Sequence, residues 1–184
     1  MPSVISHPAV VLGLGPLFAR AGITPRLWIV GAACAVVPDL DSIGFFLGVR
    51  YASLLGHRGL SHSLLFALTL ALALAPLCRR LSPRASLLAV VAFLFACAAS
   101  HGALDALTNG GLGVAFFSPF KEHRYFFPWR PIVVSPLSVS RFLAGRGLRV
   151  LASELKWVVL PSAIIGIAAH LLLARRGVKR VNRS

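Results

Sequence analysis

Charge is scarce in this chain, and negative charge most of all. Only 13% of its 184 residues are charged, and just five are acids. A soluble domain carries about a quarter charged residues. With 57% apolar residues and a mean hydropathy of +0.81, a water-soluble globule is excluded and an integral membrane protein is expected. Cysteine is sparse too. Cys34, Cys78 and Cys97 are odd in number, lie in or beside apolar runs and form no CxxC pair. They read as small buried hydrophobes, not as a disulfide framework or a thiolate zinc site. There is no HExxH, no GxSxG and no phosphate-binding P-loop, so a zinc protease of that type, a serine hydrolase and an NTPase are unsupported. Internal repeats and low-complexity segments are also lacking.

What the chain does have is a net charge of +14. In a soluble protein that would point to nucleic acid. Here the Lys and Arg residues sit mostly between apolar runs, so membrane lipids with anionic headgroups are the expected partners and nucleic acid is not. Val10–Phe18 followed by Ala19-Arg-Ala21 loosely resembles a signal peptide. No Lys or Arg precedes the run, so the segment is expected to be retained.

The apolar runs set the architecture. The first, Val4–Ala19, is short for a span. The second, Leu27–Val49, is interrupted at Val37-Pro-Asp-Leu-Asp41, where Pro38 breaks the helical ladder. The third is Leu60–Cys78 and the fourth Ala85–Leu107. Residues Asn109–Pro136 are rich in Gly, Pro and aromatics and read as a loop at the headgroup interface. Ser138–Lys156 reads as an interfacial amphipathic helix, Trp157–Ala174 as the last span and Arg175–Arg183 as a basic tail. The expected fold is therefore all-α: one integral membrane bundle of four to five transmembrane helices plus an interfacial helix. Within it, 1–108 would carry the metal site, 109–156 the loop and interfacial helix, and 157–184 the last span and tail.

Threading antiparallel helices brings the polar residues together. His7 starts the first helix, and Asp39 and Asp41 lie toward the end of the second. His57 and His62 start the third, and His101 and Asp105 end the fourth. Starts of odd helices and ends of even ones share a side, so all seven fall at one end. Asp and His at such depth are costly and face the bundle interior, where they are functional by default. His101 and Asp105, four apart, share a helix face and can bind one metal. The candidate ligands are His7, Asp39, His57, His62, His101 and Asp105, for a divalent metal, zinc foremost, as one or two ions. The bland alternatives are that Asp39 or Asp41 caps a helix restarting after Pro38, and that His62 caps or packs. His123 lies in the loop and His170 is alone on the last span; neither is expected to ligate.

Asp41 or Asp39 would act as general base. Arg58, and Arg124 with it, would hold a phosphate group. Ser63, Thr108 and Trp129 complete the expected substrate contacts. Arg20, Arg26, Arg79, Arg80 and Arg84 crowd short turns at the other end, which the positive-inside rule assigns to the cytoplasm; the site then faces the periplasm.

His7, Pro38-Asp-x-Asp41, His57-Arg-Gly-x-Ser-His-Ser63, His101-x-x-x-Asp105-x-x-Thr108-x-Gly110 and the Pro119-Phe and Pro128-Trp-x-Pro-Ile132 loop together resemble the YdjM-type family. The resemblance covers roughly the first 135 residues. Its members are bacterial inner-membrane proteins described as metal-dependent hydrolases, so the resemblance implies that location and that activity, and no particular substrate. A looser similarity is to the all-helical zinc-dependent phospholipase C type, onto which His7, Asp39, His57 or His62, and His101 with Asp105 map. The His and Glu ligands that complete the third metal of that type are missing here. The reading is a membrane-bound metal-dependent hydrolase of a phosphoester or other ester at the lipid–water interface. The alternatives are a structural or sensory metal site, or a metal transporter. Transport sites tend to lie near the midplane, with polar groups continuing to both faces.

Overall fold

A computed structural model describes residues 2–136, 140 and 142–181, with backbone alone for residues 144 and 175–181. Among the described residues the architecture is all-helical, with two isolated β-bridges and no strand. Four helical stretches are long and apolar enough to cross a membrane: Pro25–Phe45, Leu64–Leu81, Leu87–Ala106 and Gly147–Ala174.

Helix α1 (Val11–Phe18) is flanked by 3-10 turns at His7–Val10 and Ala19–Ala21, and remains too short to be counted among those spans. Helix α2 (Pro25–Cys34) stops just before Pro38, and the chain resumes as a 3-10 helix over Val37–Phe45. Helix α3 (Leu64–Cys78) begins at Ser63, whose hydroxyl accepts the Phe66 N–H at 3.0 Å, an N-cap. Among the described residues, helix α4 (Leu87–Ala106) carries the most buried ones. Along α3, Ala67, Ala71 and Ala75 recur every fourth residue and are all buried. This small-residue stripe lets α3 approach α4 closely, the usual way helices pack where lipid removes the hydrophobic incentive. Leu27, Phe93, Leu94 and Cys97 fill the centre. Large apolar side chains such as Ile29, Leu88, Ile164 and Leu172 stay exposed on the outside, as a lipid-facing surface requires.

The last part departs from expectation. The amphipathic helix expected at Ser138–Lys156 lies partly outside the described residues. Where described, it does not end at Lys156. Helix α5 (Gly147–Glu154) runs through a wide π turn at Leu155–Val159 straight into α6 (Leu160–Val181). Pro161 accounts for the turn: it has no N–H for the Trp157 carbonyl and its ring crowds that oxygen, so the turn before it opens. Of the expected basic tail, residues 182–184 lie outside the described residues. Helix α6 packs along α1, where a Cβ on Gly166 would fall 2.0 Å from the Leu12 carbonyl oxygen.

The two ends of the bundle differ. At one, the Arg20 and Arg79–Arg80 turns are joined by Thr24, whose N–H donates to Ser82 Oγ (3.0 Å) and whose hydroxyl donates to the Leu81 carbonyl (2.6 Å). At the other, the 109–136 loop folds back as a cover. Val114 and Ile132 are fully buried there. Asn109 N–H bonds the Ile132 carbonyl at 3.0 Å, and Phe127 N–H bonds the Ala106 carbonyl at 3.0 Å.

Candidate metal centre

Under this cover lie His7, Asp39, His62, His101 and Asp105, each no more than 5% exposed. Four donor atoms form a cage. His62 Nε2 lies 3.0 Å from His101 Nε2, 3.2 Å from Asp105 Oδ2 and 3.9 Å from Asp39 Oδ1. His101 Nε2 lies 3.4 Å from Asp39 Oδ1 and 3.8 Å from Asp105 Oδ2. Ligands about 2.0–2.1 Å from a tetrahedral zinc stand about 3.3 Å apart, so the Asp39, His62 and His101 donors are spaced as a single ion would need.

The residues fit a metal on a second ground. Both oxygens of Asp39 and both ring nitrogens of His7 are buried without a hydrogen-bond partner. His7 Nε2 is 4.0 Å from Asp39 Oδ2, and its ring stacks on His101 at 3.8 Å between centroids. Buried polar groups are otherwise almost always satisfied, so orphaned atoms on two neighbouring residues are what a bound ligand would relieve.

The imidazoles are fixed from behind. His101 Nδ1–H donates to the Ala35 carbonyl at 2.7 Å, which leaves Nε2 as the lone-pair nitrogen facing the cage. Pro38 is the cause. Once the ladder breaks, Asp39 N–H bonds Val36 O instead of reaching back to Ala35, and the Ala35 carbonyl is released for His101. His62 Nδ1 lies 3.1 Å from Asp41 Oδ2, so its Nε2 also points inward. Burial works against a charged His62, but hydrogen bonds from it to Asp105 and Asp41 outweigh this and raise its pKa to about 9 in the metal-free site.

Asp41 sits behind the cage. Its Oδ1 accepts His57 Nδ1–H at 2.7 Å, and its Oδ2 accepts the Arg58 N–H and the Ser61 hydroxyl. His57 is thus held by Asp41 and packs edge-on against His62 at 5.3 Å. The groups His7/His101/Asp105 and Asp39/His62/His101 are each compact enough to hold an ion, as is Asp41/His57/His62. The first two share His101, which has only Nε2 to offer, so between them they could hold one ion. In the third, His57 and His62 each bond Asp41 directly.

The residues expected to contact substrate are mostly committed to the fold. Arg58 is fully buried and adopts a left-handed backbone (φ 62°), rare for a side-chain-bearing residue. Its Nε meets Asp105 Oδ2 at 3.0 Å; Nη2 donates to Asp105 Oδ1 and Thr108 Oγ1, and Nη1 to the Gly110 carbonyl. Arg58 therefore braces a candidate ligand instead of standing open to a phosphate. Thr108 donates its hydroxyl to the Asp105 carbonyl, and Ser63 caps α3. Arg124 donates to the His57, Tyr51 and Ser53 carbonyls. Trp129 packs edge-on against Trp157 at 4.8 Å. His123 packs against Tyr125, and His170 is exposed on α6.

Sequence reasoning missed Glu154. It is 2% exposed and accepts both the N–H and the hydroxyl of Ser3, whose carbonyl in turn accepts the Ser6 hydroxyl. It ties the last rod to the segment bearing His7. The available signal was a lone carboxylate in an otherwise basic and apolar stretch.

No solved structure matches the chain. It is 41% identical to the inner membrane protein YbcI of Escherichia coli (strain K12) over 165 residues, which covers 90% of this chain and 95% of the relative. The family model described as YdjM inner membrane protein matches residues 1–179. By the extent of that match and the four apolar spans, this chain belongs to the YdjM inner membrane protein family.

Proposed function

We propose that this chain is a membrane-embedded metal-dependent hydrolase that holds one divalent ion, zinc foremost, between His62, His101, Asp39 and Asp105. The observation that carries the reading is the orphaned Asp39 carboxylate among histidine nitrogens 3.4–4.0 Å away. The donor chemistry supports a working site. Closed structural zinc sites are typically built from Cys with His, whereas mixed His and carboxylate donors are found where zinc is catalytic. Bound there, a divalent cation supplies Lewis acidity and lowers the pKa of water.

The chain's own residues would do the rest. Asp41 orients His62 and His57, so the general-base role passes away from it, because both its oxygens already accept hydrogen bonds. Arg58 keeps Asp105 aimed. His7, with both ring nitrogens unpartnered, serves as fifth ligand or as proton acceptor beside the ion. The 109–136 cover would move to admit an ester at the lipid–water interface. The basic turns at the opposite end support a periplasmic site.

The closed burial of the cage favours one other reading, a structural metal that pins the bundle. Elemental analysis of detergent-purified protein, beside a variant carrying His101→Ala and Asp105→Ala, tests the site. Product release from vesicles of phosphoester lipids, with and without chelator, tests the activity. Near-stoichiometric metal with chelator-sensitive turnover supports the hydrolase. Bound metal without such turnover assigns the structural role, and no metal even after zinc incubation sinks both.

A further inference from the structure

On the far side of the His57–Gly59 segment lies a second polar feature. A cavity of about 90 Å³ opens between the 52–59 segment and the cover loop, lined by Ser53, Gly59, Ala115, Ser118, Glu122 and Arg124 among others. The segment between it and the cage is shared: Arg124 donates to the His57 carbonyl at 2.9 Å, and Ala115 N–H to the Arg58 carbonyl at 3.0 Å.

Three observations give this cavity a ligand chemistry. Ser118 is 1% exposed, yet its hydroxyl has no hydrogen-bond partner. A buried hydroxyl of that kind is costly unless something fills the cavity and bonds it. Glu122 and Arg124 line the same cavity with opposite charges, and among the described residues they form no ion pair with each other. Arg124 is anchored by carbonyls through Nη1 and Nη2, while its Nε–H makes no hydrogen bond. A carboxylate and a guanidinium that share a cavity without pairing suit a ligand with an ammonium at one end and a phosphate at the other.

The surroundings indicate where such a ligand comes from. Leu54, Leu55, Phe117 and Phe120 flank these two segments and are exposed, Phe120 by 80%. Apolar side chains around a polar pocket on a membrane protein place that pocket at headgroup level. We infer that this cavity binds the zwitterionic headgroup of an ammonium-bearing phospholipid of the ethanolamine type. Arg124 and the Ser118 hydroxyl take the phosphate and Glu122 takes the ammonium. The site is separate from the metal cage and needs no metal.

The test is native mass spectrometry of the full chain, stripped of metal with chelator, in detergent containing equal phosphatidylethanolamine and phosphatidylglycerol. Wild type is expected to retain phosphatidylethanolamine preferentially. Glu122→Gln, an exposed and conservative change, is expected to lose about tenfold in that preference, the worth of one charge-assisted hydrogen bond. Ser118→Ala is expected to lower retention of the same lipid, with circular dichroism confirming that the helices persist. A further arm adds soluble O-phosphoethanolamine. Displacement of the lipid identifies the headgroup alone as the ligand; failure to displace shows that the acyl chains are needed as well; both support the zwitterion site. Equal retention of the two lipids by wild type, or an unchanged preference in Glu122→Gln, overturns it. Because the protein is metal-free, neither result depends on the hydrolase reading.

Discussion

Replacing Asp39 with Asn separates a metal ligand from a helix cap, because the two roles predict changes of opposite sign. The carboxylate is 5% exposed and neither oxygen accepts a hydrogen bond. It caps nothing: the 3-10 helix that contains it has no side-chain cap. Structural zinc sites bind with about 10–16 kcal/mol over four ligands, so one ligand is worth about 3 kcal/mol, or roughly a hundredfold in affinity. Asn is nearly isosteric but neutral, and it ligates weakly. Asp39→Asn should therefore lose at least about a hundredfold in metal affinity, measured by competition with a chromogenic chelator in detergent. The metal-free variant should move the other way. Above about pH 9, where His62 is neutral, removing a buried carboxylate that lacks donors gains about 1–3 kcal/mol, and the new amide can donate toward His101 Nε2. For a chain of this size each kcal/mol is about 2–4 °C, so chelator-treated Asp39→Asn should melt a few degrees above chelator-treated wild type. Unchanged metal content, or a metal-free variant that melts lower than wild type at that pH, refutes the assignment of Asp39 as a ligand.

Metal binding should also depend on pH. His62, raised to about 9 in the metal-free site, must give up its Nε2 proton to ligate. Affinity should fall by about tenfold for each pH unit below about 9, and isothermal titration in two buffers of different ionisation enthalpy should detect the released proton. The sign reverses for the stability of the metal-free chain. The His62 cation contributes fully below about pH 6.5, and that contribution disappears as pH rises through about 9; a flat melting profile over that window contradicts it. Arg58→Lys keeps the charge but cannot bond Asp105, Thr108 and Gly110 together. With about three hydrogen bonds lost at about 1 kcal/mol each, melting should fall by several degrees, whereas an open phosphate-binding arginine would leave it unchanged.

How much of the site can be read from sequence depends on whether a spacing lies inside one regular element. His101 and Asp105 are four apart on an uninterrupted helix, so their shared face follows from the 3.6-residue repeat alone. Asp39 and Asp41 are two apart across a break. The chain there is a 3-10 helix, in which each residue advances about 120°. The two carboxylates therefore point about 120° apart, one into the cage and the other behind His62. Before the phase after Pro38 is known, nothing tells them apart, and the roles of base and ligand stay interchangeable. Arg58 fails for a different reason. A lone arginine in a polar heptapeptide reads as an open cation, and only the left-handed turn at its own backbone, which sequence propensity disfavours, sends the guanidinium inward to Asp105. Glu154 is further out of reach: its partner Ser3 lies 151 residues away, and no periodicity links the two. The architecture was legible because apolar runs and breakers are local. The roles within the site were not, because each depends on a helical phase or a long-range contact that only packing decides. The same distinction separates the two metal readings, since the composition of the cage is local chemistry and its access is a property of how the 109–136 cover packs. A variant that loosens only the cover, leaving every cage residue in place, should therefore raise turnover in a hydrolase, and should weaken metal retention without producing turnover if the ion is structural.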